Sequence, residues 1–566
     1  MSRGLIAFIA GLVLVLGGSW YAHSIQTTGG VEVQDVRFPG ADGVAMSGLL
    51  YVPKTATPAR PAPGILAVHG YINSRETQDG FAIEFARRGY VVLAMDQTGH
   101  GYSGGAAYSA GFGGPAGLTY LRSLPMVDRA NIGLEGHSMG GWTILAAAAA
   151  MPNDYKAMVL EGSSTGKPFA QDGSTTWPRN LGLVFSRYDE FAKFMWGVDR
   201  AMDVGQSPKL KAVFGTASDV KPGAVYGSIA EGTARRLTTP ATTHPGDHIS
   251  ADAIGDSLDW FAKTLKGGTP LPASDQVWFG KEAGTGLALI GVVWLILGTF
   301  DLLLKLPAFA GLRHAGEPSP APRDGRWWRW LALTAFLPVL TYFPCFLLVS
   351  QTMKPSWLLP QTINNEVIVW ALVNSAIILI LPLFSRQPAH STASKTGWIA
   401  VSAISVLSVG AGYLALLAMD ALFKVDFRFW VVALKLPNAA QTAIIPHYLP
   451  AFVAFFLIAL SALHKRLVVK GDGWMAQYAY TKMALAGGFT AFLALDYGLF
   501  FLTGSLPTAI DPLSTVVMIQ FVPLMAIAAI ISVFTWRRTN SHVPGALISA
   551  LLISWYVVAG TATHVI

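Results

Sequence analysis

The chain has 566 residues and a single cysteine, Cys345, which lies in an apolar run. One thiol can close no intrachain disulfide and build no cysteine metal cluster, so neither kind of staple is expected to hold this fold. Charge is also scarce. Only 13% of residues are Asp, Glu, Lys or Arg, against about 25% in soluble domains. That composition excludes an ordinary soluble protein of this length. The net charge of +7 gives no nucleic-acid signal, because much of it lies in short loops between apolar runs. No phosphate loop, dinucleotide fingerprint in a strong context or metal-ligand cluster is present, so no cofactor and no metal are expected. No internal repeat is evident, and an inverted-repeat transporter is not invoked.

What the chain does have is hydrophobic sequence, 52% of it, unevenly placed. Residues 1–22 are an apolar run behind Arg3, residues 23–275 have the composition of a globular domain, and residues 283–566 are dominated by long apolar stretches. The first run resembles a signal peptide: a positive start, then an apolar core. It is long enough to cross a bilayer, and Tyr21-Ala22-His23-Ser24 is a poor cleavage site. A retained signal anchor is expected. Eight further spans are expected at 284–305, 327–350, 364–384, 397–419, 443–463, 479–503, 513–536 and 543–565. Residues 427–436 are too short to cross and read as an interfacial or re-entrant piece.

Loop charge sets the orientation. With Arg3 cytoplasmic, Lys305, Arg313, Arg323, Arg326, Arg329, Arg386, Lys395, Lys465, Arg466, Lys470, Arg537 and Arg538 fall on the cytoplasmic side. Lys354, Lys424, Arg428 and Lys435 fall on the other. This positive-inside bias puts the globular domain and the C-terminus outside the cytoplasm.

Within that domain one stretch organises the rest: Gly136-His137-Ser138-Met139-Gly140-Gly141. A short apolar run precedes it, and Trp142-Thr143-Ile144-Leu145 with five alanines, a strong helix former, follows. Strand, tight turn and helix around G-x-S-x-G are the pattern of a nucleophile elbow. The glycines allow strand and helix to pass closely, and the serine sits over the positive end of the helix. Strand-like runs at 31–36, 46–52, 64–70, 90–96 and 157–161, with a helical run at 81–88, give an alternation that implies a mainly parallel sheet covered on both faces.

His69-Gly70, Asp96-x-x-Gly99-His100-Gly101-x-Ser103 and the Ser138 elbow occur in the order and spacing of the α/β-hydrolase superfamily. Residues 31–266 resemble its esterase and dienelactone-hydrolase-like branches. The resemblance implies an α/β-hydrolase domain joined to an α-helical transmembrane domain. It also implies a serine nucleophile with an acid and a histidine in the chain order Ser, Asp, His. Ser138 is the expected nucleophile. The histidine belongs on the loop entering the last helix, where His244 and His248 both stand; His248 is preferred as nearer that helix. The acid belongs beyond the strand after 157–161. Asp189, at the end of a strand-like run from 181, is preferred over Asp219, at the end of a second run from 211. The oxyanion hole is expected from the backbone N–H groups of Met139 and Tyr71. In this family the Asp96–His100–Ser103 turn is structural.

Residues 164–179 are too few for a large lid, so the cleft is expected to be open or covered by the membrane part. Phe194 and Trp196 face either lipid or the core, with the core preferred. In the spans Asp496 stands deep in an apolar helix, where a charge is costly. It marks either a polar site or an inter-helix hydrogen bond. The reading that follows is a membrane-integrated serine hydrolase of ester substrates, small or lipid-like, in contact with membrane lipids and not with nucleic acid. The same triad would serve a peptidase, amidase or acyltransferase. Nine spans exceed what an anchor needs, which leaves a transporter or receptor with a hydrolase-like binding domain as the rival.

Overall fold

The computed structural model describes residues 3–318, 323–381 and 397–565. Arg386, Lys395 and the end of the expected span 364–384 lie outside the described residues. The globular part carries nine strands: β1 (Glu32–Pro39), β2 (Ala45–Val52), β3 (Ala62–Val68), β4 (Val91–Met95), β5 (Val127–His137), β6 (Ala157–Glu161), β7 (Leu181–Val184), β8 (Val225–Tyr226) and β9 (Arg235–Thr238). They form one sheet in the order β1-β2-β4-β3-β5-β6-β7-β9-β8. From β4 to β9 the neighbours run parallel, and the edges β1, β2 and β8 are antiparallel.

Strand β3 shows why the sheet is covered twice. All seven of its residues are buried, and successive side chains point to opposite faces. Leu66 and Val68 join one apolar cluster with Leu118, Ile144 and Leu145. Ile65 and Ala67 join another with Phe81, Phe85 and Phe261. Helices Gly114–Ser123 and Met139–Ala150 thus cover one face, and Asp79–Arg87 and Ala251–Thr264 the other. From β3 the chain moves to β4 on one side, then returns to β5 on the other. Ligand crevices in open α/β sheets form at the carboxyl ends of strands where the order reverses in this way.

One expected strand is a helix. Residues 208–214 form Pro208–Phe214, with Pro208 at its start, the Ser207 hydroxyl accepting from Leu210 N–H, and Gly215 left-handed at its end. Proline at the first position and glycine just past the last are helix boundary signals, and they override the apolar alternation read as a strand.

Among the described residues nine helices are long and apolar enough to cross a membrane: Gly4–Gln26, Phe279–Leu303, Gly325–Thr352, Thr362–Ile380, Trp398–Phe423, Ala439–Arg466, Trp474–Thr503, Pro512–Thr539 and Val543–Gly560. They correspond one for one to the expected spans, with ends moved by a few residues. The piece at 427–436 differs from expectation. It is a hairpin of β10 (Phe427–Phe429) and β11 (Val432–Leu434), and it stands on the globular domain. Arg428 donates to Thr77 Oγ1 at 2.8 Å and Ser74 Oγ at 3.2 Å. Its own loop supplies the counter-charge, Asp426, at 2.5 Å. A short strand pair that meets a protein surface satisfies its backbone there and needs no bilayer.

Helix Gly4–Gln26 lies along Phe279–Leu303 at close range. A Cβ on Gly11 would sit 2.5 Å from the Leu295 backbone nitrogen, and one on Gly18 would sit 2.5 Å from the Gly284 carbonyl. Small residues let helix backbones approach in lipid, where close packing drives association. Gly17, on the same helix, meets nothing within 4 Å. Gly11→Val is therefore expected to lower the melting temperature of the detergent-solubilised protein, through an overpacking cost of about 2 kcal/mol. Gly17→Val is expected to leave it unchanged, and equal losses in the two variants would refute the close-packed pair.

Candidate active site

The Ser138 turn is built by its neighbours. Ser138 has φ 55° and ψ −119°, a left-handed conformation that costs a non-glycine residue about 1–3 kcal/mol. The surroundings hold it there. Ser138 N–H donates to the Glu161 carbonyl on β6 at 2.8 Å, and Ser163 Oγ donates to the Ser138 carbonyl at 2.7 Å. A Cβ on Gly136 would lie 2.3 Å from the Gly140 carbonyl oxygen, and one on Gly140 would lie 2.1 Å from the Val68 carbonyl oxygen. The strand–helix approach is real at Gly136, while at Gly140 the crowding neighbour is the end of β3.

Val68 and Gly136 pair across β3 and β5, so the chain leaving β3 at His69-Gly70-Tyr71 runs beside the serine. His69 is locked there. Its Nδ1 bonds the Gly70 carbonyl at 2.7 Å, and its Nε2 accepts from Gln97 N–H at 3.2 Å. Tyr71 N–H donates to no carbonyl among the described residues. Met139 is the first residue of its helix, where an N–H has no intrahelical acceptor. Tyr71 and Met139, whose N–H groups have no such acceptor, line one cavity with Ser138. The Asp96 turn is structural: its carboxylate accepts from Ser47 Oγ at 2.9 Å, Arg75 N–H at 2.9 Å and Tyr102 N–H at 3.0 Å.

Asp189 and His244 stand on the segments that follow β7 and β9. Asp189 Oδ2 meets His244 Nδ1 at 2.8 Å, and Asp189 Oδ1 accepts from Phe191 N–H at 2.8 Å. His244 and Ser138 line the same cavity. The structure pairs Asp189 with His244 and not with the preferred His248. Both ring nitrogens of His248 lack a partner among the described residues. Its ring packs on His137, with centroids 4.1 Å apart. His137 in turn bonds the His244 carbonyl through Nε2 at 2.9 Å. His248 lies in the turn Pro245–Ile249 and lines the same cavity, but it makes no bond to Asp189. The alternative acid, Asp219, is an exposed surface residue paired with Lys211 at 2.6 Å. Burial disfavours charge on both members of the pair. The Asp189 carboxyl is pushed well above its ordinary value by burial and by Asp247. The His244 imidazole is lowered to about 4 by burial, against the pull of Asp247.

The cavity has a volume of about 880 Å³, within the range of ligand pockets. Its floor includes Ser138, Trp142 and Phe169, and its roof is the membrane half: Trp430, Phe500, Leu506 and Leu513. Of the two expectations for the cleft, the covered one holds. Trp196 is in the core, whereas Phe194 is 54% exposed and lines the cavity. Asp496 is not among the cavity walls. It accepts from Thr508 Oγ1 at 2.9 Å, on the loop that follows its own helix.

Three contacts near the site were not foreseen. Tyr497, on helix Gly488–Thr503, donates to Glu190 Oε1 at 2.7 Å, and Glu190 Oε2 accepts from His244 N–H at 2.8 Å. Trp430 Nε1 donates to the Pro245 carbonyl at 2.7 Å. Tyr71 Oη bonds His564 Nε2 at 2.8 Å. The doublet Asp189-Glu190, two acids at one strand end, was the available signal for the first. For the other two no local pattern exists, because the partners are distant in the chain.

The model of the serine aminopeptidase S33 family matches residues 59–189. A monoacylglycerol lipase of Mycolicibacterium smegmatis is 31% identical over 144 residues, 24% of this chain and 48% of that enzyme. The chain thus spans about half the length of that relative. An esterase of Pyrococcus furiosus resembles it over 42% of this chain and 92% of its own, with 18% identity and a TM-score of 0.31. The α/β hydrolase GrgF of a Penicillium species resembles it over 23% and 45%, with 24% identity and a TM-score of 0.21. The strand order, with its reversal between β3 and β5 and its serine turn inside the matched segment, gives the globular part an α/β-hydrolase fold, with a half of long apolar helices attached.

Proposed function

We propose that this protein is a membrane-integrated serine hydrolase that cleaves carboxylic esters through an acyl-enzyme on Ser138. The observation that carries the reading is the 2.8 Å contact of Asp189 with His244 in the cavity that Ser138 also lines. With Nδ1–H held by the carboxylate, His244 offers Nε2 to the serine proton. The hydroxyl oxygen then attacks the ester carbonyl, and the oxyanion forms against the N–H groups of Met139 and Tyr71. His244 returns the proton to the leaving alcohol, and water repeats the sequence to free the acid. No step calls for a metal or cofactor. The aromatic and aliphatic walls, Trp142, Phe169, Phe194 and Leu506 among them, suit an ester with an apolar acyl chain. The S33 match keeps an amide or peptide substrate as the second reading.

The orientation is part of the proposal. The hairpin at 427–434, the loop at 504–512 and the tail after 560 all touch the globular domain, as loops on one side of nine alternating spans would. With the positive-inside bias, that side is extracytoplasmic. External protease on intact cells is expected to cut the globular domain and spare a cytoplasmic control; a spared domain overturns the orientation.

Ser138→Ala and His244→Ala are each expected to lower kcat by about 10⁴-fold or more, while His248→Ala stays within about tenfold. A fluorophosphonate probe should label the wild type and not Ser138→Ala. A panel of acyl esters, peptides and acceptor alcohols separates the esterase from its rivals. His248→Ala as damaging as Ser138→Ala, with His244→Ala mild, would reverse the assignment.

A base must be neutral to work. A histidine whose value in the folded protein is lowered stays neutral to lower pH, so activity is retained below the ordinary value and lost as pH falls through the lowered one. With His244 lowered to about 4 by burial, the acid limb of kcat/KM for a neutral ester is expected below about pH 6, against about 6.5 for an unperturbed histidine. An inflection at or above about 6.5 would contradict it.

A further inference from the structure

We infer that the membrane half positions the catalytic histidine, with Tyr497 and Trp430 as the positioning residues. This rests on the hydrolase reading and goes beyond it. His244 sits on a loop between β9 and helix Ala251–Thr264, and loops hold their shape only through what binds them. Triads need side chains fixed to within about 0.5 Å.

Membrane elements reach the backbone of His244 and Pro245 by two routes, one through Glu190 and one directly. On the N–H side, Glu190 bridges. Its Oε2 accepts from His244 N–H at 2.8 Å, and its Oε1 accepts from the Tyr497 hydroxyl at 2.7 Å. On the carbonyl side, Trp430 at the tip of the hairpin donates to the Pro245 carbonyl at 2.7 Å. Trp430 is itself anchored: its N–H donates to Glu282 Oε2 at 3.0 Å, at the start of helix Phe279–Leu303. The globular domain adds His137 Nε2 at 2.9 Å and Asp247 N–H at 3.4 Å on the His244 carbonyl, and Asp189 on the ring.

Glu190 is suited to transmit the membrane contact and to do little else. It is 6% exposed, and among the described residues no cation pairs with it. Burial and the adjacent Asp189 push its carboxyl up to about 8, and the Tyr497 hydroxyl and the His244 N–H act against that. The carboxyl is thus held in place by one donor from the histidine's own backbone and one from a membrane helix. Asp189 follows the same logic, since it precedes Glu190 in the chain and shares its turn. Removing the Tyr497 hydroxyl frees the far end of this bridge and leaves the packing of its ring, which contacts Phe500 and Phe501, in place.

The test uses the full chain in detergent with a short water-soluble nitrophenyl ester, whose acyl group is too small to depend on the apolar walls. Tyr497→Phe and Trp430→Phe are each expected to lower kcat about tenfold, the scale of one lost positioning hydrogen bond, with KM within about twofold and the melting temperature unchanged. Glu190→Gln should lower kcat at least as much, and adding Tyr497→Phe to it should cost nothing further, because both act through one bridge. Wild-type kcat in both Tyr497→Phe and Trp430→Phe overturns the inference. So does a loss confined to KM, or a double variant whose losses multiply. A wild type that takes no fluorophosphonate at Ser138 brings down the hydrolase reading and this one together. A labelled wild type with indifferent variants brings down this one alone.

Discussion

Arg428 is a guanidinium sealed between two halves of one chain. It is 2% exposed, neutralised by Asp426 on its own hairpin, and bonded to Ser74 and Thr77 on the loop after β3. A charge buried with its partners adds little net stability, but stripping partners away from it costs about 3–5 kcal/mol. Exposed ion pairs on this surface, such as Lys193–Asp199, are worth about 0–1 kcal/mol and decide nothing. The same interface holds Lys281 against Asp79, whose other oxygen accepts from Tyr51 at 2.5 Å. Each of these charges sits on one half and takes partners from the other. Sliding the halves past each other would break the Lys281–Asp79 pair and strip Arg428 of Ser74 and Thr77, which ties them to one mutual orientation.

That fixed orientation is what turns a shallow strand-end crevice into an enclosed site. The globular domain alone offers the serine turn, the free N–H groups and the Asp189–His244 pair at the carboxyl ends of β3, β5, β7 and β9. Most of the covering surface comes from elsewhere: the tip of the hairpin, the end of helix Gly488–Thr503 and the loop after it. Here residues 164–179 are short, and Phe169 merely stacks on Trp142, with centroids 4.4 Å apart.

The parts legible in the sequence were those encoded within a few residues of each other. The elbow, the buried strands and the spans each declare themselves through local spacing or length, and each stands where that spacing put it. The histidine did not. His244 and His248 are four residues apart on one loop, and the choice between them depends on the turn at Pro245 and on Asp189, 55 residues earlier. The run at 211–219 misled because alternating apolar residues outweighed the Pro208 and Gly215 boundaries. The hairpin at 427–434 was visible only as a run too short to cross, since its reason for existing, the Ser74–Thr77 loop, lies some 350 positions away. Asp496 could be noticed but not interpreted, because Thr508 gives no signal of its own.

The tail beyond the last helix has a consequence for biogenesis. Thr563 exchanges backbone bonds with Gly99 and Ala107 at 2.8–2.9 Å, and His564 holds the Tyr71 hydroxyl. Ribosomes deliver residues in order, so the globular domain can collapse long before this clasp exists. The covering residues Trp430, Phe500, Leu506 and Leu513 precede the ninth helix, so the crevice can be roofed before the clasp closes. Gly99, Ala107 and Tyr71 must wait longest for their partners, since these follow the ninth helix.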